Sequence, residues 1–526
     1  MPRIPVHNIG AGGTSKDVPA HLLPPELWSD AQNVRFQDNK ALKFTGHSLV
    51  FDPPSVAPNW AKGVATATDY FILYTGLASI FTVVGATHSD ITRISGPYTG
   101  TIADDWNGDI LGGIPVITNG VDLPQAWNPV AAATKLVDLV NWPAADRMRY
   151  IRSFKSFLVA LYVTKGGTVS PHMVKWSHPA DPGALPSSWD QTDATKDAGE
   201  KELDDTQAGV IQDAERLRDI LVIYKDNATW GMQHVGGRFI FRFFHIFTET
   251  GILAHRCVAP LRNNEQHFVA TGDDLIVHNG QSAQSVIDKK WKRFLANNLD
   301  TTNFGRSFVV KNPLAEEMWF CFPETGSVLP TLALVWNRRD NTIGVRQLQS
   351  FDFIASAVVD VPGTDQSWDA DTASWDSDTT QWGSREFNPQ SIGLLACDAT
   401  NTKLFKLDDT NQFNGAAMTA FLEREGLALI GVDRQGNPKS DVSRRKLLTR
   451  IWIKGEGDPF EVRAGSQEEL GGAITFQAAK TFTPGVDRYL DFVVNGPLLA
   501  VRFQSSTNVA WQLHGYDLDI QVLGEI

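Results

Sequence analysis

The sequence predicts an all-β protein: an irregular β-propeller followed by a C-terminal antiparallel, sandwich-like platform domain, with few short helices. Three observations predict it. Strand–turn–strand units recur through most of the 526 residues. The chain holds 16 Trp, 43 Gly and 27 Pro, rings and turn-formers that suit short strands and tight loops. Amphipathic helical patterns are scarce. Three segments follow: residues 1–58 as an N-terminal arm and first hairpin, 59–414 as the propeller, and 415–526 as the platform.

In chain order, Gly10–Gly13 (GAGG) follows no strand and reads as a flexible arm. Trp106 and Trp127 bracket two short strands with a Gly-Gly break and an Asn119–Gly120 turn. Trp176 and Trp189 bracket a Pro-rich loop. Asp190–Asp205 is polar, acidic and patternless, and reads as a loop. Asp219–Lys225 turns at Asp226–Asn227 and returns as Ala228–Val235. Asp274–His278 ends at Asn279–Gly280, the dipeptide best suited to a tight hairpin. Val286–Leu295 is the clearest helix, with Ile287, Trp291, Phe294 and Leu295 on one face. Leu332–Trp336 turns at Arg339–Asn341 and returns as Thr342–Leu348. No fixed period of a regular repeat array emerges. Unequal blades fit better than a sandwich across Asn59–Asp408, because so many hairpins must share one core.

From about Gly415 the texture changes. Lys446–Lys454, Pro459–Ala464, Arg488–Val494, Leu498–Phe503 and Tyr516–Val522 alternate apolar and polar residues. Leu490, Phe492 and Val494 share one face, as do Leu518, Ile520 and Val522, the pattern of half-buried antiparallel strands.

With 60 acidic and 47 basic residues the net charge is −13. A duplex is bound by clustered Lys and Arg that displace counterions, so any DNA contact is expected to be local. Three scattered cysteines argue against a disulfide framework or a Cys-rich zinc site. No signal-peptide pattern and no apolar run long enough to span a bilayer is seen, which predicts a protein made in a reducing cytoplasm.

The catalytic motifs are missing: no HExxH, GxSxG, Walker or dinucleotide-binding pattern occurs, so neither catalytic residues nor a cofactor are expected. The pattern nearest to a cation site is Asp369, Asp371, Asp376 and Asp378, repeating as WDxDT. The glycine and terminal glutamate of an EF-hand are absent, so a solvated acidic loop is the default and no metal is expected. A pair of carboxylates for glycoside hydrolysis has no specific signature, and the Ser-x-Asp-x-Gly-x-Thr-Trp box of sialidase propellers is absent. Lys289, Lys290, Lys292 and Arg293 surround Trp291 and form a basic spot. Helical spacing buries the ring and leaves a solvated charged face; its functional version is contact with nucleic acid or an adjacent subunit.

Leu23, Pro24, Pro25, Trp28, Ser29, Asn33, Val34, Arg35, Phe36 and Gly46 form a segment that resembles the N-terminal signature of tail nozzle proteins of short-tailed bacteriophages, also called packaged-DNA stabilisation proteins. Gly112–Trp127, Val174–Trp189, Ala283–Asp300, the Trp-Asp tract and Val462–Val522 look similar too, in the same order. The resemblance implies a homohexameric tube below the tail adaptor ring. Such a tube holds packaged double-stranded DNA, carries fibres or spikes, and conducts the genome during ejection. It places the protein in the virion tail and implies no enzyme. Two rivals remain: a receptor- or glycan-binding propeller of a fibre or baseplate, and a carbohydrate-cleaving propeller enzyme.

Overall fold

In the computed structural model, the described residues are 3–65, 70–85, 87–129, 134–237, 239–359, 392–432 and 438–525. They form an all-β molecule built from a seven-bladed propeller and a two-sheet sandwich.

Six blades are consecutive four-stranded antiparallel meanders. The first four span Trp60–Asp90, Asn107–Asp138, Arg147–Glu202 and Ile211–Phe247, each opening on its innermost strand. The fifth spans Val258–Ser285 and the sixth Phe308–Gln347. The seventh takes three strands, Phe353–Val358, Ile392–Asp398 and Lys403–Leu407, and a fourth from far upstream, His47–Leu49. Strand Phe353–Val358 packs on Trp60–Ala65 of the first blade and so closes the ring. A strand that precedes the first blade in sequence thus completes the last one and ties the two ends of the ring together.

The middle strands of the blades are largely apolar because both faces pack on neighbouring blades, whereas outer strands such as Gly199–Glu202 are polar. Glu317–Phe322 and Leu332–Asn337 are buried at every position. The tryptophans act as pins. Trp106 Nε1 donates to Gly76 O at 3.0 Å, which ties the second blade to the first. Trp142 and Trp189 meet edge to face at 4.7 Å and close the Pro-rich loop of the third.

The sixth blade does not end at its outer strand. Val345 pairs with Val34 of the hairpin Val34–Gln37/Lys40–Lys43, whose second strand pairs with Trp511–Glu525. One ten-stranded sheet thus runs from propeller into sandwich. The opposing sheet holds Ala420–Leu427, Leu498–Ser505 and Phe460–Gln467, edged by Asp30–Gln32. Between the sheets lies a core with Leu448, Ile451, Val462, Phe492, Phe503 and Ile520. The alternation across Leu490–Val494 matches this: Phe492 and Val494 point inward, while Val493 faces solvent.

Three local readings need correction. The Gly10–Gly13 arm is built in: Thr14 Oγ1 donates to Ile343 O, and a Cβ on Gly10 would lie 2.4 Å from the Lys40 backbone. The acidic Asp190–Asp205 segment contains a strand, Gly199–Glu202, the outer edge of the third blade. The helix expected over Val286–Leu295 spans Lys292–Asn298 instead, beyond Lys289 in the left-handed region (φ 57°). Its cap is remote. The Asp17 carboxylate accepts from Arg293 N at 3.0 Å and Phe294 N at 3.2 Å, so the helix begins where that acceptor sits.

Candidate functional site: the propeller axis

Side chains from the innermost strands of several blades meet at the axis and form a charged floor. Lys62 of the first blade donates to Gly108 O and lies 3.2 Å from Asp109 Oδ1 of the second. The other Asp109 oxygen accepts from both Ser153 N and Ser153 Oγ of the third blade at 2.7 Å. Arg152 donates to Ala214 O and pairs with Asp213 of the fourth. Asp213 Oδ2 accepts from Arg256 N at 3.0 Å and lies 3.1 Å from His255 Nδ1, on the approach to the fifth.

Arg256 is the hub. Its backbone is left-handed (φ 66°), and its carbonyl accepts from Val309 N of the sixth blade at 2.8 Å. Its guanidinium donates to Trp106 O of the second blade and lies 4.7 Å from the Phe353 ring of the seventh. One side chain therefore spans blades that are far apart in sequence, and holds the axis closed.

The electrostatics of this floor are uneven. Burial opposes ionisation of Asp213, but Arg152 and His255 outweigh it and hold the carboxyl below the usual range. Burial pushes the His255 imidazole down despite Asp213, which keeps the ring neutral. Glu215, on the same strand as Asp213, is pushed up to about 7, first by desolvation and then by Asp109 and Asp213, against Arg152. Its side chain remains only half-buried. It is an acid poised to exchange a proton near neutral pH.

Above the floor opens a cavity of about 660 Å³, lined by Arg149, Tyr150, Tyr162, His255, Phe304 and Arg306 among others. Tyr162 interrupts its strand: the register slips between Leu161 and Val163, and Tyr162 takes φ 54°. A bulky residue held in that region turns its side chain away from the regular alternation.

The basic spot lies elsewhere, on the fifth blade's outer connection. Trp291 is buried there and donates to Thr14 O. Lys292 lies 3.1 Å from Asp273 and 3.2 Å from Asp274. Lys290 donates to Asn341 O. The carbonyls of Lys289 and Lys290 accept from Ser15 Oγ, and Lys290 O also from the backbone of Lys16 and Asp17. The stretch thus anchors the N-terminal arm, and Lys292 has acidic neighbours within its own surface. Asp369, Asp371, Asp376 and Asp378 lie outside the described residues. Among the described residues no group of three His, Cys, Asp or Glu side chains is placed to hold a metal. The three cysteines are buried free thiols, and no described helix is long and apolar enough to cross a membrane.

The signature segment sits at the joint between propeller and sandwich. Trp28 is buried against Phe503 and Tyr516, and its Nε1 donates to Ile9 O. Ser29 Oγ donates to Glu423 O, and Asn33 bridges Thr419 O and Gln347 N. Arg35 reaches into the sixth blade with two bonds to Glu317, at 2.5 and 3.1 Å, and one to Asp408 at 2.8 Å. Arg346, 1% exposed, holds the other Asp408 oxygen at 2.5 Å. Asn312 donates to Asp408, and Trp319 to Glu317. These residues form a seam between the last two blades and the hairpin.

No family model matches the chain. No curated protein matches it either. Among solved structures it is similar to the WD40 propeller domain of Doa1, at 8% identity and TM-score 0.35, over 69% of this chain and 97% of that one. It is also similar to the AfRom2 CNH domain (11% identity, TM-score 0.29, 58% of this chain and 79% of that one). A third is described as a 6-phosphogluconolactonase of Bacteroides uniformis (12% identity, TM-score 0.29, 43% and 69%). Likeness at this level carries nothing about activity, ligand or partner.

Sequence reasoning missed the axial cluster. Lys62 and Asp109 are each the one charge of their strands, whereas Arg152 and Asp213 share theirs with other charged residues and Arg256 lies in a connection, so no common pattern marks the set.

Proposed function

We propose that this chain is a structural subunit of a short-tailed phage tail nozzle, assembling as a hexameric tube that retains packaged DNA and conducts it during ejection. The observation that carries the reading is where the signature residues fall. Trp28, Ser29, Asn33 and Arg35 are spent on bonds between propeller and sandwich, so the segment serves rigidity rather than chemistry. A ten-stranded sheet running through both parts resists flexing between them, as a subunit stacked in a load-bearing tube requires. An acidic chain repels the duplex and lets it slide without sticking. On this reading the chain is not an enzyme, its partners are the adaptor ring and tail fibres or spikes, and it works in the virion tail.

The test is negative-stain imaging of the purified full chain mixed with the tail adaptor ring of the same phage. Six-fold particles with added density below the ring are expected. Adaptor rings that stay bare, or trimers of this chain alone, would overturn the proposal.

A further inference from the structure

The outer strand of the fourth blade, Phe241–Phe247, departs from the other outer strands. Those of the first, second, third, fifth and seventh blades hold two to four residues and read THSD, VD, GEKE, AQS and HSL. Short, polar outer strands keep a sheet edge from pairing with other chains. The fourth blade's strand is seven residues long, reads FRFFHIF and ends its sheet, with no strand beside it among the described residues.

The molecule itself shows what such an edge accepts. The sixth blade has the other long outer strand, Thr342–Gln347, and there the edge is extended: Val345 pairs with Val34, and Asn33 N donates to Val345 O at 2.8 Å. Part of the fourth blade's aromatic content serves the blade. Phe241 meets Trp176 of the third blade edge to face at 5.4 Å, and the Phe244 ring lies against Gly231 of the neighbouring strand. Yet Phe243, Phe244, Ile246 and Phe247 stay half-buried, and Phe239, just before the strand, is 74% exposed. A strand added alongside would cover these side chains as cross-strand neighbours.

Charge sets the chemistry of the added segment. The strand carries no carboxylate. Arg242 is exposed, lies 5.7 Å from the Phe244 ring and makes no ion pair among the described residues. A second copy of the strand does not complement it, because antiparallel self-pairing centred on Phe244 sets Arg242 against Ile246 in both halves. We propose that a partner protein adds an extended segment of alternating apolar and acidic residues to Phe241–Phe247, as a fifth strand of the fourth blade. Main-chain hydrogen bonds give such addition its affinity, and alternate side chains its specificity. Successive side chains point to opposite faces, so the segment presents carboxylates on the side of Arg242 and apolar groups on the side of Phe243, whose ring lies 5.9 Å from that of Trp176. Assembly into a tube plays no part in this inference, so failure of either proposal leaves the other standing.

Fluorescence anisotropy of the full chain with a labelled peptide of alternating Val and Glu, matched in length to the strand, tests it. A Kd of about 0.1 mM is expected, about fivefold tighter than for the same peptide with Lys in place of Glu. N-methylation of one set of alternate amides should abolish binding and that of the other set should not, since a strand turns each set to a different edge. Arg242→Glu, on an exposed side chain, should keep the melting temperature and reverse the preference between the two peptides. No binding at about 1 mM, equal binding of the Glu and Lys peptides, equal binding of both N-methylated forms, or an unchanged preference in the variant would overturn the proposal. So would a chain that dimerises on its own and excludes the peptide, since the edge would then belong to a second copy.

Discussion

The molecule contains two buried ionic clusters that differ in closure. At the seam, Arg35, Glu317, Arg346 and Asp408 neutralise one another two against two. Both oxygens of each carboxylate are bonded, with Asn312 and Trp319 completing the set. At the axis, Arg152, Asp213, His255 and Arg256 also interlock. Yet both ring nitrogens of His255 and Arg256 Nε make no hydrogen bond, and His255 lies beside a cavity. Glu215 stays close to neutral pH in its titration. A cluster whose atoms are all bonded fixes a structure; one with buried atoms left unpaired carries a desolvation cost that its own bonds do not offset.

Breaking the seam should have the largest effect. Asp408→Ala leaves Arg346 without its counter-ion and Arg35 with Glu317 alone, and removing one partner of a buried pair costs about 3–5 kcal/mol. Denaturant unfolding should show the loss; a change under about 1 kcal/mol would mean the seam is hydrated. At the axis, Asp213→Asn should cost less, about 2 kcal/mol, because water entering from the cavity can solvate Arg152 and His255. If the two variants prove equally destabilised, the contrast between closed and open clusters fails.

The pH responses should differ in sign. Burial opposes ionisation of Asp408, but Arg35 and Arg346 bring it down to about 2. Its stabilisation is therefore full above its unfolded value near 3.8 and lost as pH falls toward 2. Glu215 behaves oppositely. Its raised value means that the folded state binds the extra proton between about 4.5 and 7, so its contribution falls as pH rises through that window. Glu215→Gln should thus gain stability relative to the unaltered chain between pH 5 and pH 8, by on the order of 2 kcal/mol after screening by channel water. Melting curves of both proteins at the two pH values check this; a constant difference would show that Glu215 titrates as an ordinary surface acid.

The smallest effect is expected away from both clusters. Asp17→Ala removes the remote cap of the Lys292–Asn298 helix and should cost about 1 kcal/mol. Limited proteolysis of the N-terminal arm should accelerate in that variant; an unchanged cutting rate would show that other contacts hold the arm.

Legibility in the sequence follows the range of the interactions. The hairpin Leu332–Asn337/Thr342–Gln347 was readable because its turn and both strands lie within sixteen residues. The alternating sandwich strands were readable because one face of each is wet. What sequence could not show depends on partners hundreds of residues away. His47–Leu49 completes the last blade by pairing with Phe405–Leu407, and the helix start is set by Asp17. The acidic segment around Gly199–Glu202 has no strand pattern of its own; its pairing with Met173–Trp176 supplies one. The axial charges were invisible for the same reason: each is intelligible only beside its neighbours from other blades.

The proposed nozzle needs rigid two-part subunits that build a six-fold tube, and their stoichiometry on the adaptor ring is the direct test. Mass photometry of adaptor rings saturated with the full chain should give a mass increment of six copies of 57.9 kDa per ring tier. An increment of one or three copies, or none, would contradict it.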